Sequence, residues 1–257
     1  MRVTRSVIWG PLVLGTVAII AACGGNTESA DRGSQAPPSA EVVQHMHDHL
    51  AQVQTVQQAV IRGDIDEART AARRFADHQE LTGMPENVQE TVDDMKEAAQ
   101  KVGNADDLKS AGEATGTMLA ECGSCHRSMS ARPNFPSPAA QAQARNKTVA
   151  QMLEHQRAVD LLYQGLVAPS DDLWRQGAEA LKASPLKADT FPADTELSKE
   201  ALDAQAETHE VAETAAEAAD LDKRGDVYGR LIGGCATCHS LSGRVLGPGV
   251  PKEAQMR

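Results

Sequence analysis

From Ala40 onward, apolar residues recur at three- and four-residue spacing, the pattern of helices that bury one face. Val42, Val43, Met46, His49, Leu50, Val53, Val56, Val60 and Ile61 mark the first such stretch. Gly63-Asp64 breaks it. Asp64, followed three residues later by Glu67, has the form of a capping box and starts a second helix that runs to Phe75 or His78. Residues 81–85 read as a loop, and Pro85 opens a third helix carrying Val88, Val92, Met95, Ala98, Ala99 and Val102. Gly103-Asn104 ends it. A fourth helix from Asp106 or Asp107 turns Leu108, Ala111, Thr115, Met118, Leu119 and Cys122 inward.

Residues 127–146 hold three prolines and interrupt the pattern as a linker. The scheme then repeats. Val149, Met152, His155, Val159, Leu162, Tyr163 and Leu166 mark a leading helix, and Ser170 caps a short one with Leu173, Trp174 and Leu181. A loop over about 183–194, with Pro185 and Pro192, precedes a long helix predicted over about 195–219. A last helix from Asp222 or Gly225 passes Val227, Leu231 and Ile232 to Cys235. The segment Met46-His47-Asp48-His49 matches Met152-Leu153-Glu154-His155 at an offset of 106, which points to an ancestral duplication. The pattern predicts an all-α chain of two tandem four-helix bundles over 40–128 and 147–241, joined by a linker at 129–146 and followed by a tail at 242–257.

Both units end in the same short motif. Cys122-Gly-Ser-Cys125-His126 and Cys235-Ala-Thr-Cys238-His239 are each CxxCH, their first cysteines 113 residues apart. In c-type haem attachment two such thiols add covalently to the porphyrin edge and the following histidine ligates iron. A macrocycle held by two thioethers swings little, so its ligand must follow the second cysteine at once. The motif therefore predicts two haem c groups, one in each bundle, on Cys122, Cys125, Cys235 and Cys238 with His126 and His239 as iron ligands. A redox-active CxxC wants a strand–helix setting that this sequence lacks. A half zinc site is the other bland alternative.

The remaining cysteine, Cys23, follows Arg2, Arg5, an apolar run from Val7 to Ala22 and the small residues Ala21-Ala22. The run is short for a spanning helix and suits a signal peptide over 1–22. Its end resembles a bacterial lipoprotein signal, with Cys23 as the lipidated residue. The Gly24-Gly25 that follows resembles the outer-membrane sorting pattern and slightly favours that membrane over the inner one. Residues 23–39 are polar and rich in Gly, Ser and Pro, the composition of a flexible tether. The whole chain carries −11, and losing Arg2 and Arg5 with the leader takes this to −13. That charge argues against nucleic acid and suits basic redox partners or plain solubility. Only 3% of residues are aromatic, so two haems would also supply apolar volume to the cores.

An all-helical unit of this size with CxxCH at the end of its fourth helix resembles the cytochrome c prime and four-helix c-type cytochrome family. The likeness covers residues 40–128 and 147–241. It implies up-down-up-down bundles with haem between the helices, fixed ligands His126 and His239, and an opposite ligand, where there is one, from the first helix. That face holds His49 with Met46, and His155 with Met152. Histidine at 49 and 155 is the preferred pair, Met46 and Met152 the alternative, and an open iron the third possibility. Met46 and Met152 also read as ordinary core residues. His45 and His47 are expected off the His49 face and solvated, His78 near a propionate or nothing, His209 without a clear partner, Trp174 as packing, and Arg127 near a propionate in the first unit only.

No catalytic series, phosphate loop or acidic metal motif is visible, so the expected function is one-electron transfer at the periplasmic face of a membrane, without enzyme activity. Five-coordinate binding of NO or CO is the alternative. A third is a haem-bearing structural subunit of a respiratory or photosynthetic complex.

Overall fold

The computed structural model describes residues 39–77, 86–135, 144, 146–186, 190–191 and 197–241. The leader, Cys23, the tether up to Pro38, His78, the loop at 81–85, most of 136–145 and the tail at 242–257 lie outside the described residues. Every regular element within them is helical. Helices α1 (Ala40–Arg62), α2 (Ile65–Ala76), α3 (Glu86–Gly103) and α4 (Leu108–Ser128) form one group of four. Helices α5 (Lys147–Val167), α6 (Asp171–Ala183), α7 (Lys199–Thr214) and α8 (Leu221–Leu241) form the second. Within each group neighbouring helices pack in sequence order, as in a four-helix bundle.

Short polar side chains set where the helices begin. Asp64 accepts from Glu67 N at 3.0 Å, Asp107 from Ser110 N at 2.7 Å, Asn146 from Val149 N at 2.9 Å and Asp220 from Lys223 N at 2.8 Å. Ser170 and Ser198 do the same for Leu173 N and Ala201 N. Each such cap contributes about 1 kcal/mol. The cap at Ser198 makes α7 shorter than the sequence pattern predicts. Its far end also stops early: a 3-10 turn at Ala215–Glu217 leads into Ala218, whose extended backbone frees its carbonyl to accept from Arg224 Nε at 3.1 Å. The connection before α7 (184–198) is longer than its counterpart before α3 (77–85), which absorbs most of the difference between the two halves.

The core is built from many alanines and a few large residues. Val56, Val60, Phe75, Met118 and Leu119 are fully buried in the first group, and Leu162, Leu166, Leu231 and Ile232 in the second. Trp174 packs inside, donating Nε1–H to Ala215 O at 2.8 Å beneath the Arg224 guanidinium. These residues belong to one continuous apolar cluster that runs through both groups.

What joins the groups is a seam between α4 and α8. Small residues recur every fourth position on both: Gly112, Gly116 and Ala120 on α4, and Gly225, Gly229 and Gly233 on α8. Gly112 faces Gly229 and Gly233, while Gly116 faces Gly225 and Gly229, so the helices cross antiparallel with backbone against backbone. Gly116 and Gly229 occupy matched positions in the repeat, so a pseudo-two-fold axis passes between them. The chain from Ser39 onward forms one compact unit around this seam. No helix among the described residues is long and apolar enough to cross a membrane.

Candidate functional site: two cysteine–histidine motifs across the seam

Cys122, Cys125 and His126 occupy the last turns of α4, and Cys235, Cys238 and His239 the last turns of α8. A spacing of three on a helix places both thiols of a motif on one face, with the histidine beside them. All six side chains are half-buried, and the four cysteines are free thiols. Burial, reinforced by the neighbouring cysteine, pushes Cys122 and Cys235 up to about 12. Burial also raises Cys125 and Cys238. Reactive CxxC thiols are activated by a helix N-terminus or a nearby cation. These sit at the opposite end of their helices, are protonated at neutral pH and are poor thiol-exchange nucleophiles. The Cys122 sulfur lies 3.9 Å from Met95 Sδ, and the Cys125 sulfur 3.8 Å from Met129 Sδ.

The two histidines are oriented alike, each by the other half of the molecule. His126 Nδ1 lies 2.8 Å from the carbonyl of Val167 at the end of α5. His239 Nδ1 lies 2.7 Å from the carbonyl of Ile61 near the end of α1. Ile61 and Val167 are 106 positions apart, the offset that relates Met46 to Met152. A carbonyl only accepts, so Nδ1 carries a proton in both rings, and in the neutral tautomer this leaves the lone pair on Nε2. Burial lowers the His126 pKa, opposed by the bond to Val167, and favours that neutral form. A metal-ligating imidazole is commonly fixed in this way, through a carbonyl partner on its other nitrogen.

The candidates on the leading helices are placed less uniformly. His155 is buried, and its Nε2–H donates to Ser184 O at 2.6 Å. Burial lowers its pKa, opposed by the bond to Ser184, and the charges of His209 and His239 lower it further. His49 is half-buried, edge-on to Phe75 with ring centroids 5.0 Å apart. Met46 and Met152 are half-buried on the same faces. Two expectations are corrected. His45 is half-buried and its ring lies 4.2 Å from that of His49, because residues four apart share a helix face. His209 does have a partner: Leu186 N–H donates to its Nε2 at 3.0 Å, tying α7 to the loop after α6. His47 and Arg127 are exposed.

Among the described residues, no three His, Cys, Asp or Glu side chains gather as a metal-ion site. Each motif instead offers two thiols and one imidazole whose ring is oriented through Nδ1. That donor set fits a haem held by two thioethers, because the porphyrin brings four nitrogen ligands of its own and needs only axial ones from protein. Sequence reasoning missed the Val167 and Ile61 carbonyls and the glycine seam. The seam did leave a signal, the four-residue spacing of small residues on two helices that end in the same motif. No protein-family model, no curated protein and no solved structure matches this chain.

Proposed function

We propose that the chain is a dihaem c-type cytochrome of the four-helix, cytochrome c prime type, passing single electrons at the periplasmic face of a membrane rather than catalysing a reaction of its own. The observation that supports this reading is the matched pair of bonds, His126 to Val167 and His239 to Ile61, which holds both CxxCH histidine rings through Nδ1, as metal-ligating imidazoles commonly are. Cys122 and Cys125 would hold one haem and Cys235 and Cys238 the other. A bound haem supplies an iron centre that changes by one electron. The protein's part is to keep Nε2 of each histidine aimed, exclude water and bury the ring edge. His49 and His155 are the proposed opposite ligands, with Met46 and Met152 as the alternative pair. Lipidation at Cys23 would tether the protein to a membrane, more readily the outer one. The acidic surface would meet basic redox partners or a larger electron-transfer complex.

One observation favours a second reading. The Nε2 atom of His155 is committed to Ser184 O, which leaves the opposite face of the second site without that imidazole. A five-coordinate haem there would bind NO or CO. Absorption spectra of the purified protein, ferric and ferrous, with and without CO, separate the two. Low-spin bands indifferent to CO are expected for the electron carrier. A high-spin spectrum with prompt CO binding would move the function to gas binding, and a colourless protein would end both readings.

A further inference from the structure

The chain has two tyrosines, and the fold brings them together. Tyr163 on α5 and Tyr228 on α8 lie with ring centroids 6.4 Å apart and are 5% and 0% exposed. The duplication does not require them, since their matched positions in the other half are Gln57 and Thr115. Aromatic residues are scarce throughout, so a buried pair beside the seam is a conspicuous use of them.

Their position follows from the bonds already described. Tyr163 precedes Val167 by four residues, one turn of α5, and the Val167 carbonyl holds His126. Gln57 precedes Ile61 by one turn of α1, and the Ile61 carbonyl holds His239. Gln57 Nε2 donates to the Tyr228 hydroxyl at 2.7 Å. A continuous path therefore runs from His126 through Val167 and Tyr163 to Tyr228, and on through Gln57 and Ile61 to His239. Phe135 packs edge-on against Tyr163, with ring centroids 5.8 Å apart. The Tyr163 hydroxyl is buried and has no hydrogen-bond partner. Its ring is therefore held there by packing, against the cost of an unpaired phenol.

We propose that the Tyr163–Tyr228 pair is the bridge through which the two haem sites exchange an electron. This rests on the dihaem reading and adds a route to it. One electron leaves the ferrous iron at one site and is gained by the ferric iron at the other. Both tyrosines keep their phenolic protons and paired electrons throughout, and no bond is made or broken. The rings serve as closely spaced π systems between α5 and α8.

The test uses the full-length holoprotein with both tyrosine rings selectively labelled for NMR. Two residues give two spin systems. In the wild type, both sets of ring resonances should shift when the iron is oxidised to its paramagnetic ferric state. Rings that ignore the oxidation state would overturn the proposal. The exchange rate in half-reduced protein is then compared in Tyr163→Phe/Tyr228→Phe, which keeps both rings, and Tyr163→Leu/Tyr228→Leu, which removes them. The bridge predicts near wild-type exchange in the first and a loss of about tenfold or more in the second. Equal rates in the two would overturn it, and so would an equal loss in both. If the leucine pair fails to fold, slowed exchange in the phenylalanine pair with unchanged spectra overturns it, and unchanged exchange there together with the ring shifts supports it. A wild-type protein that carries no covalent haem would defeat the dihaem reading itself, a result distinct from a dihaem protein with an unaffected rate.

Discussion

A motif cysteine is useful for attachment only if both thiols reach the same porphyrin edge. Cys122→Ala or Cys238→Ala should leave one thioether at the affected site and lose most haem there, with the other site still loaded. Intact mass under denaturing conditions checks this, and full double attachment in either variant would contradict it. Titration gives a second test. In the haem-free chain the folded state keeps protons on Cys122 and Cys235 up to about 12, whereas an unperturbed thiol releases its proton near 9.0. The folded pKa is raised, so this contribution to stability is complete below about pH 9 and is lost as pH rises toward about 12. A thioether does not titrate. Denaturant midpoints followed across that window should fall more steeply for haem-free protein than for holoprotein. Tyr163 and Tyr228, also raised by burial, act in both forms and drop out of the comparison. The cysteines and their histidines were legible in the sequence because their spacing is chemical. The groups that orient the histidines were not, because Ile61 and Val167 act through backbone carbonyls that every residue type possesses. His155 shows the reverse: repeat position marked it, yet its ring nitrogen bonds to Ser184, a contact set by a loop whose path no periodicity encodes.

At the scale of the helix, Gly116 is the most exacting position. A Cβ there would collide with the Gly225 carbonyl. Replacing glycine by alanine inside a helix ordinarily stabilises it by about 1 kcal/mol. Forcing a methyl group into a packed seam costs about 1–3 kcal/mol. The collision is with backbone that cannot rotate away, so the second effect should win. Gly116→Ala is expected to lower the denaturant midpoint, and a raised midpoint would show that the helices stand further apart. The helices themselves were largely legible, since Asp64 and Ser170 are capping residues by type and the apolar spacing is strong. The α7 limits were less so, because alanines continue past Thr214 and local propensity gives no reason to stop there. Ala218 leaves the helix for a tertiary partner, Arg224. The seam escaped notice because a pattern of apolar side chains gives no weight to residues with none.

Across the whole molecule, the two helix groups form an internal pseudo-dimer. Each half supplies the carbonyl that orients the other half's histidine, and α4 and α8 share the pseudo-two-fold axis at Gly116 and Gly229. A cluster that runs unbroken through both groups should lose its structure in one step. Chemical unfolding of the full chain, followed by helix content and by tyrosine fluorescence, should give coincident single transitions, and two separated transitions would contradict a shared core. Sequence alone gave eight helices and two repeats, but not this joining, because contacts between repeats depend on how α4 meets α8 and not on the register within either. The claim on which the rest depends is covalent haem at both motifs. The most direct test is the intact mass of the protein produced in a host with c-type haem maturation, measured under denaturing conditions that strip any non-covalent group. The account predicts the polypeptide plus two haems. A polypeptide carrying none would contradict it.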